Sequence, residues 1–62
     1  MKQYLVAWRE TLDPVEHIGV LSTDRFNEWK KMMEEEIGYF ITIIVPLSRE
    51  QAMEQNYQHM IF

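Results

Sequence analysis

The uncharged run Ile37–Ser48, IGYFITIIVPLS, constrains this chain more than any other feature. Tyr39 to Val45 is rich in aromatic and β-branched residues and lies between Gly38 and Pro46, which predicts a strand. A strand that alternates apolar and polar residues needs cover on one face. This one needs it on both.

The chain has 62 residues. A domain of that size buries only about 60% of the surface its unfolded form exposes. Apolar burial at about 25 cal/mol per Å² is nearly cancelled by an ordering cost of about 1.5 kcal/mol per residue. Disulfides, a bound metal or association with other chains usually make up the difference. Cysteine is absent, which removes disulfides and thiolate metal sites. His17 and His59 are too few for structural zinc without carboxylates placed beside them, so neither a metal nor a cofactor is expected. Association remains. Two-fold assembly is the commonest closed solution, so a homo-oligomer is expected, either a dimer or a dimer of dimers.

Ten acidic residues against six basic ones give a net charge of −4. That balance argues against direct nucleic-acid binding, which rests on neutralising phosphates. The uncharged run is shorter than the roughly 20 apolar residues a membrane helix needs. Met1-Lys2-Gln3-Tyr4 is not the start of a signal peptide. A cytoplasmic protein, away from membranes, is the expectation.

The remaining elements follow from pattern. Lys2–Glu10 reads as a strand with Tyr4, Val6 and Trp8 on one face and Leu5 and Ala7 on the other. Asp13-Pro14 turns the chain, and Glu16–Leu21 forms a second strand, antiparallel to the first. After the cap candidates Ser22, Thr23 and Asp24, the spacing of Phe26, Trp29, Met33 and Ile37 predicts a helix ending at Gly38. Ser48 and Gln51 have capping-box spacing and predict a second helix from Arg49 to about His59. The expected fold is a small α+β single domain, residues 1–62, in the order ββαβα. It has a three-stranded mixed sheet and two helices, with the third strand in a protected position. Ile43 and Val45 would share a face with Tyr39 and Ile41, and Ile44 would share the other with Phe40.

Candidate functional residues fall into two groups. If the second and third strands run parallel, both helix starts lie at one end of the sheet, and antiparallel pairing of the first strand brings Lys2 there too. Ser22, Thr23, Arg25, Ser48 and Arg49 could then hold an anion, since helix N-termini present free amides and partial positive charge. Ordinary capping explains the same residue types, and Asp24 would oppose an anion. The second group is apolar and expected at a subunit interface: Tyr4, Trp8, Tyr39, Ile41, Ile43, Tyr57, Met60, Ile61 and Phe62. The tail Tyr57–Phe62 is expected to dock on a neighbouring subunit.

No glycine-rich phosphate loop, nucleophile–base pair, carboxylate pair or metal cluster is present. Glu16 and His17, adjacent in a strand, point to opposite faces and do not cooperate. The expected function is a non-catalytic, homo-oligomeric binding protein that sequesters or inhibits a partner. The partner would be a small anion such as a nucleotide, or a protein surface. Two rivals stand beside it. One is an acidic decoy that occupies a nucleic-acid-binding cleft. The other is an oligomeric enzyme that combines His17 or His59 with Glu16 or Tyr57 of another chain.

Overall fold

A computed structural model describes all of residues 1–62. The protein is a small α+β domain with two helices and a mixed sheet. The sheet has four strands rather than three: β1 (Lys2–Glu10), β2 (Glu16–Thr23), β3 (Tyr39–Leu47) and β4 (Gln58–Ile61), in the order β3-β1-β2-β4. Helix α1 is Phe26–Lys31 and continues as π-helical turns over Met32–Ile37; α2 is Arg49–Glu54.

The β1–β2 hairpin forms as its sequence indicates. Asp13 closes the turn by accepting the Val15 amide at 2.9 Å, and Trp8 comes opposite His17. Pairing of β1 with β3 is antiparallel, so β2 and β3 run in the same direction with β1 between them. The most apolar strand is therefore an edge strand. The protected position expected for it belongs to β1 and β2, because the hairpin already occupies one side of β1 and leaves β3 the other.

The fourth strand replaces the end of the expected second helix. The capping box is present, with the Gln51 amide donating to Ser48 Oγ at 3.1 Å and the Ser48 amide to Gln51 Oε1 at 2.9 Å. The helix nevertheless stops after six residues, at Glu54. Gln58–Ile61 then pairs parallel to β2, and the Phe62 amide donates to the Ser22 carbonyl. A six-residue helix has little intrinsic stability, whereas the open edge of β2 offers ladder hydrogen bonds to four residues. His59 is thus a strand residue, not a helix end.

Ser22 and Thr23 likewise belong to β2 rather than to a helix start. Arg25 is the N-cap of α1, and its amide donates to the Thr23 hydroxyl at 2.9 Å. At the other end Gly38 takes φ 87°, and its amide donates to the Met33 carbonyl five residues back, the spacing of a π turn. The wider winding brings two consecutive residues, Met32 and Met33, against the sheet, while Ile37 stays exposed.

Alternation along the strands defines two sheet faces. On the first, Val6 and Leu21 are sealed beneath Trp29 and Met33 of the helical segment. Aromatic rings interlock around them. Tyr4 lies 4.6 Å from Phe26, Trp8 meets Trp29 edge-on at 6.4 Å, and His17 stacks on Trp8 at 5.9 Å. On the second face Ala7 and Val20 are also sealed, and so is Ala52 of α2, which lies against β1 and β3. No other element is left to cover that side, so α2 is its lid.

One irregularity reassigns half of β3. The register slips between Ala7↔Ile43 and Trp8↔Ile41, which makes Thr42 an extra residue, a β-bulge. Its hydroxyl lies 2.9 Å from the Glu16 carboxylate and 3.2 Å from the Ala7 carbonyl. Beyond the bulge the alternation inverts. Ile43 and Val45 share the second face with Phe40, and Ile44 joins Tyr39 and Ile41 on the first. The expected grouping of Ile43 with Tyr39 and Ile41 is corrected accordingly.

Candidate functional site

The C-terminal ends of β2, β3 and β4 and the start of β1 meet at one end of the sheet, and three surface hollows open there. The hollow beside α1, lined in part by Lys2, Tyr4 and Phe26, places Arg25 with Asp24 and Glu28. Arg25 is already engaged: its guanidinium lies 3.6 Å from Glu28 and 4.8 Å above the Phe62 ring. The second hollow, about 390 Å³, is lined by Lys2, Gln3, Tyr4, Pro46, Leu47 and Arg49, together with Met1. It contains two cationic side chains and no carboxylate. A third joins Ser22 and Arg49 to Met1, Gln3 and Ile61.

The structure thus brings Ser22 and Arg49 together and keeps Arg25 apart in an acid-bearing hollow. The Thr23 hydroxyl is closed to a ligand, whereas the Ser48 hydroxyl is exposed but already accepts a cap bond. Thr23 is fully buried and caps the Arg25 amide, and Ser48 caps its own helix. Lys2 is the basic residue that replaces them, placed there because β1 begins where β2 and β3 end.

The apolar group divides differently. Tyr4, Trp8, Tyr39 and Ile41 pack against the chain's own core on the first face, as do Met60 and Phe62. The tail therefore docks on its own sheet as β4, and of its apolar side chains only Tyr57 and Ile61 are left substantially exposed. Uncovered apolar surface lies instead on and beside β3, where Phe40, Ile43, Ile44 and Val45 are each 40–51% exposed. Ile43, Ala7 and Ile18 form one row across the second face. Phe40 and Val45 adjoin it on β3, and Met53 of α2 stands exposed above. A six-residue helix is about 9 Å long and cannot roof strands of about 30 Å.

The edge itself is also bare. β3 has a neighbour on one side only, runs for nine residues, and carries no charge; the usual edge protections are lysine, proline and short length. Pro46, at its far end, and the bulge at Thr42 are its guards. The lack of charge is legible in sequence, but the edge position is not.

No three histidine, cysteine, aspartate or glutamate side chains cluster, and no helix is long and apolar enough to cross a membrane. Comparison with known protein families, with characterised proteins and with solved structures finds no match to this chain.

Proposed function

We propose that this chain is a small non-catalytic binding protein that works as a homo-oligomer and sequesters or inhibits a protein partner through apolar sheet surface. The observation that carries this reading is the set of exposed apolar side chains on the second face, Phe40, Ile43 and Val45 on β3 and Ile18 across the sealed Ala7, on a chain whose first face buries Val6, Leu21, Trp29 and Met33. Large apolar side chains left exposed together on one face of a small domain mark an interface. The aromatic and aliphatic residues at its centre suit a desolvated contact.

Affinity purification from the native host with wild type and an Ile18→Asp variant tests the reading. Ile18 lies on β2, away from the β3 edge, so its replacement alters the face alone. A stoichiometric protein retained by wild type and lost with Ile18→Asp supports the reading. Equal retention by both, or none by either, overturns it.

A second reading is favoured by the 390 Å³ hollow, whose lining is cationic although the chain as a whole is at −4. Its size is within the range of small-ligand sites, and Lys2 and Arg49 would engage a phosphate or carboxylate beside the Tyr4 ring. Thermal shift against a nucleotide panel tests it, because a ligand at 100 times its Kd adds about 2.7 kcal/mol. A shift that survives the Lys2→Ala, Arg49→Ala double variant would place the ligand elsewhere.

A further inference from the structure

We propose that the open edge of β3 pairs with β3 of a second copy, antiparallel about a two-fold axis between Thr42 and Ile43, joining two four-stranded sheets into one. This rests on the homo-oligomer reading above and names the surface that forms it.

Four observations commit the edge to a second copy rather than to a foreign strand. First, β3 carries unpaired backbone donors and acceptors along its outer side, with no charged side chain from Tyr39 to Leu47 to repel an identical strand.

Second, the bulge makes the strand self-complementary. In a regular strand, a two-fold between consecutive residues would set first-face residues against second-face ones, because alternation has a period of two. The extra residue Thr42 inverts the alternation at the axis. Tyr39 then faces Pro46, and Ile41 faces Ile44, all on the first face. Phe40 faces Val45 on the second, and both copies keep like surfaces together.

Third, those pairs take in three of the residues the isolated chain leaves exposed. Phe40 and Val45 gain each other and Ile44 gains Ile41, while Ile43 meets Thr42.

Fourth, the ends match in charge. Glu34, Glu35 and Glu36 precede β3, and Arg49 follows it with Lys2 in the same hollow. Glu50 adjoins Arg49, so Lys2 is what leaves that end net positive. None of these groups has an ion-pair partner within the chain, whose two pairs are Met1–Asp24 and Arg25–Glu28. The two-fold brings the acidic approach to each β3 beside the end of the other β3 that Arg49 follows, twice per dimer. A foreign strand would have to reproduce all of this: neutral, apolar on both faces, bulged at its midpoint, acidic before and basic after.

The absence of cysteine makes cross-linking clean. In a Phe40→Cys, Val45→Cys double variant, each thiol stands opposite its complement in the other copy, about 5 Å away between Cα atoms. Within one chain the same positions are five residues apart on an extended strand, about 17 Å, too far to bridge. Mild oxidation is expected to give a covalent dimer, while Phe40→Cys alone stays uncross-linked. Independently, Arg49→Glu and Glu36→Arg are each expected to weaken dimerisation roughly three- to tenfold, and the double exchange to restore it. Ultracentrifugation reads both, with circular dichroism confirming that every variant is folded.

A wild-type dimer that neither cross-links in the double-cysteine variant nor responds to the charge exchanges uses another surface. That result overturns the edge pairing and leaves the homo-oligomer reading standing. A wild-type chain that remains a 7.6 kDa monomer at millimolar concentration ends both.

Discussion

The two faces of the sheet are built from similar residues and end in different states. On the first, Val6, Leu21, Trp29 and Met33 are sealed and ringed by aromatics. On the second, Ala7, Val20 and Ala52 are sealed, but Ile18, Phe40, Ile43 and Val45 stand in the open. Hydrophobicity does not distinguish the sides; lid length does. The first face has the six residues of α1 and six more of π-helix, and the second has α2 alone. A chain of this size has material for one full lid and half of another. The rest of the second face stays exposed.

Breaking the first face should cost most. Leu21→Ala, at a fully buried position, is expected to destabilise by about 2–5 kcal/mol. That approaches the whole stability of so small a domain, so circular dichroism should show a largely unfolded chain. A fold that tolerated it would mean that the first face is not the main core.

Gly19→Ala probes the seam between β2 and β4. A Cβ there would stand 2.9 Å from Met60 Cε, 3.0 Å from the Gln58 carbonyl and 3.3 Å from the Trp8 ring. The Met60 methyl can swing aside, but the Gln58 carbonyl is backbone, so β4 must shift. A loss of about 1–3 kcal/mol in urea unfolding is expected, with faster hydrogen exchange of β4 amides than of the hairpin. Uniform exchange would show that β4 and the hairpin open as one unit.

Ser48→Ala sharpens the comparison from the other side by weakening the half-lid. Loss of the capping box should cost about 1 kcal/mol and raise binding of a hydrophobic dye, since α2 then covers the second face less of the time. Unchanged dye binding would mean that α2 is held by its packing and not by its cap.

The smallest effect is expected on the bare side. Ile43→Thr, measured at concentrations where the chain is monomeric, should change stability by no more than about 0.5 kcal/mol. The same substitution should matter more as concentration rises. An equally small effect at all concentrations would leave the exposed side chains of the second face without a partner.

How far the sequence could be read depended on the kind of interaction. The hairpin, the buried members of the α1 stripe and the Ser48 cap were legible, because each depends on residues a few positions apart. The third strand's apolar character was legible too, but its place at the edge was not. Nothing in Tyr39–Leu47 states which side of β1 is free. The bulge at Thr42 was hidden, since threonine suits a regular strand as well, and with it went the assignment of Ile43, Ile44 and Val45 to their faces. The tail was misread because Arg49–His59 carries a genuine helix start. Its last residues go instead to the unpaired side of β2, a long-range choice. At the candidate site, Arg49 was legible at the sheet end. Lys2 was legible there too, since an antiparallel β1 begins at that end, while Thr23 is buried at the cap it makes.

What the amino-acid order determined by itself is local: a hairpin turn, two helices, three stretches able to extend, and more apolar strand than 62 residues can wrap. Only the tertiary structure decided which apolar side chains remain in water. Exposure depends on which strand takes the edge and how far each helix reaches, and both are set by pairing between residues distant in the chain. Backbone hydrogen bonds do not read side chains, so the most apolar strand could be left outermost, with its unpaired edge facing solvent.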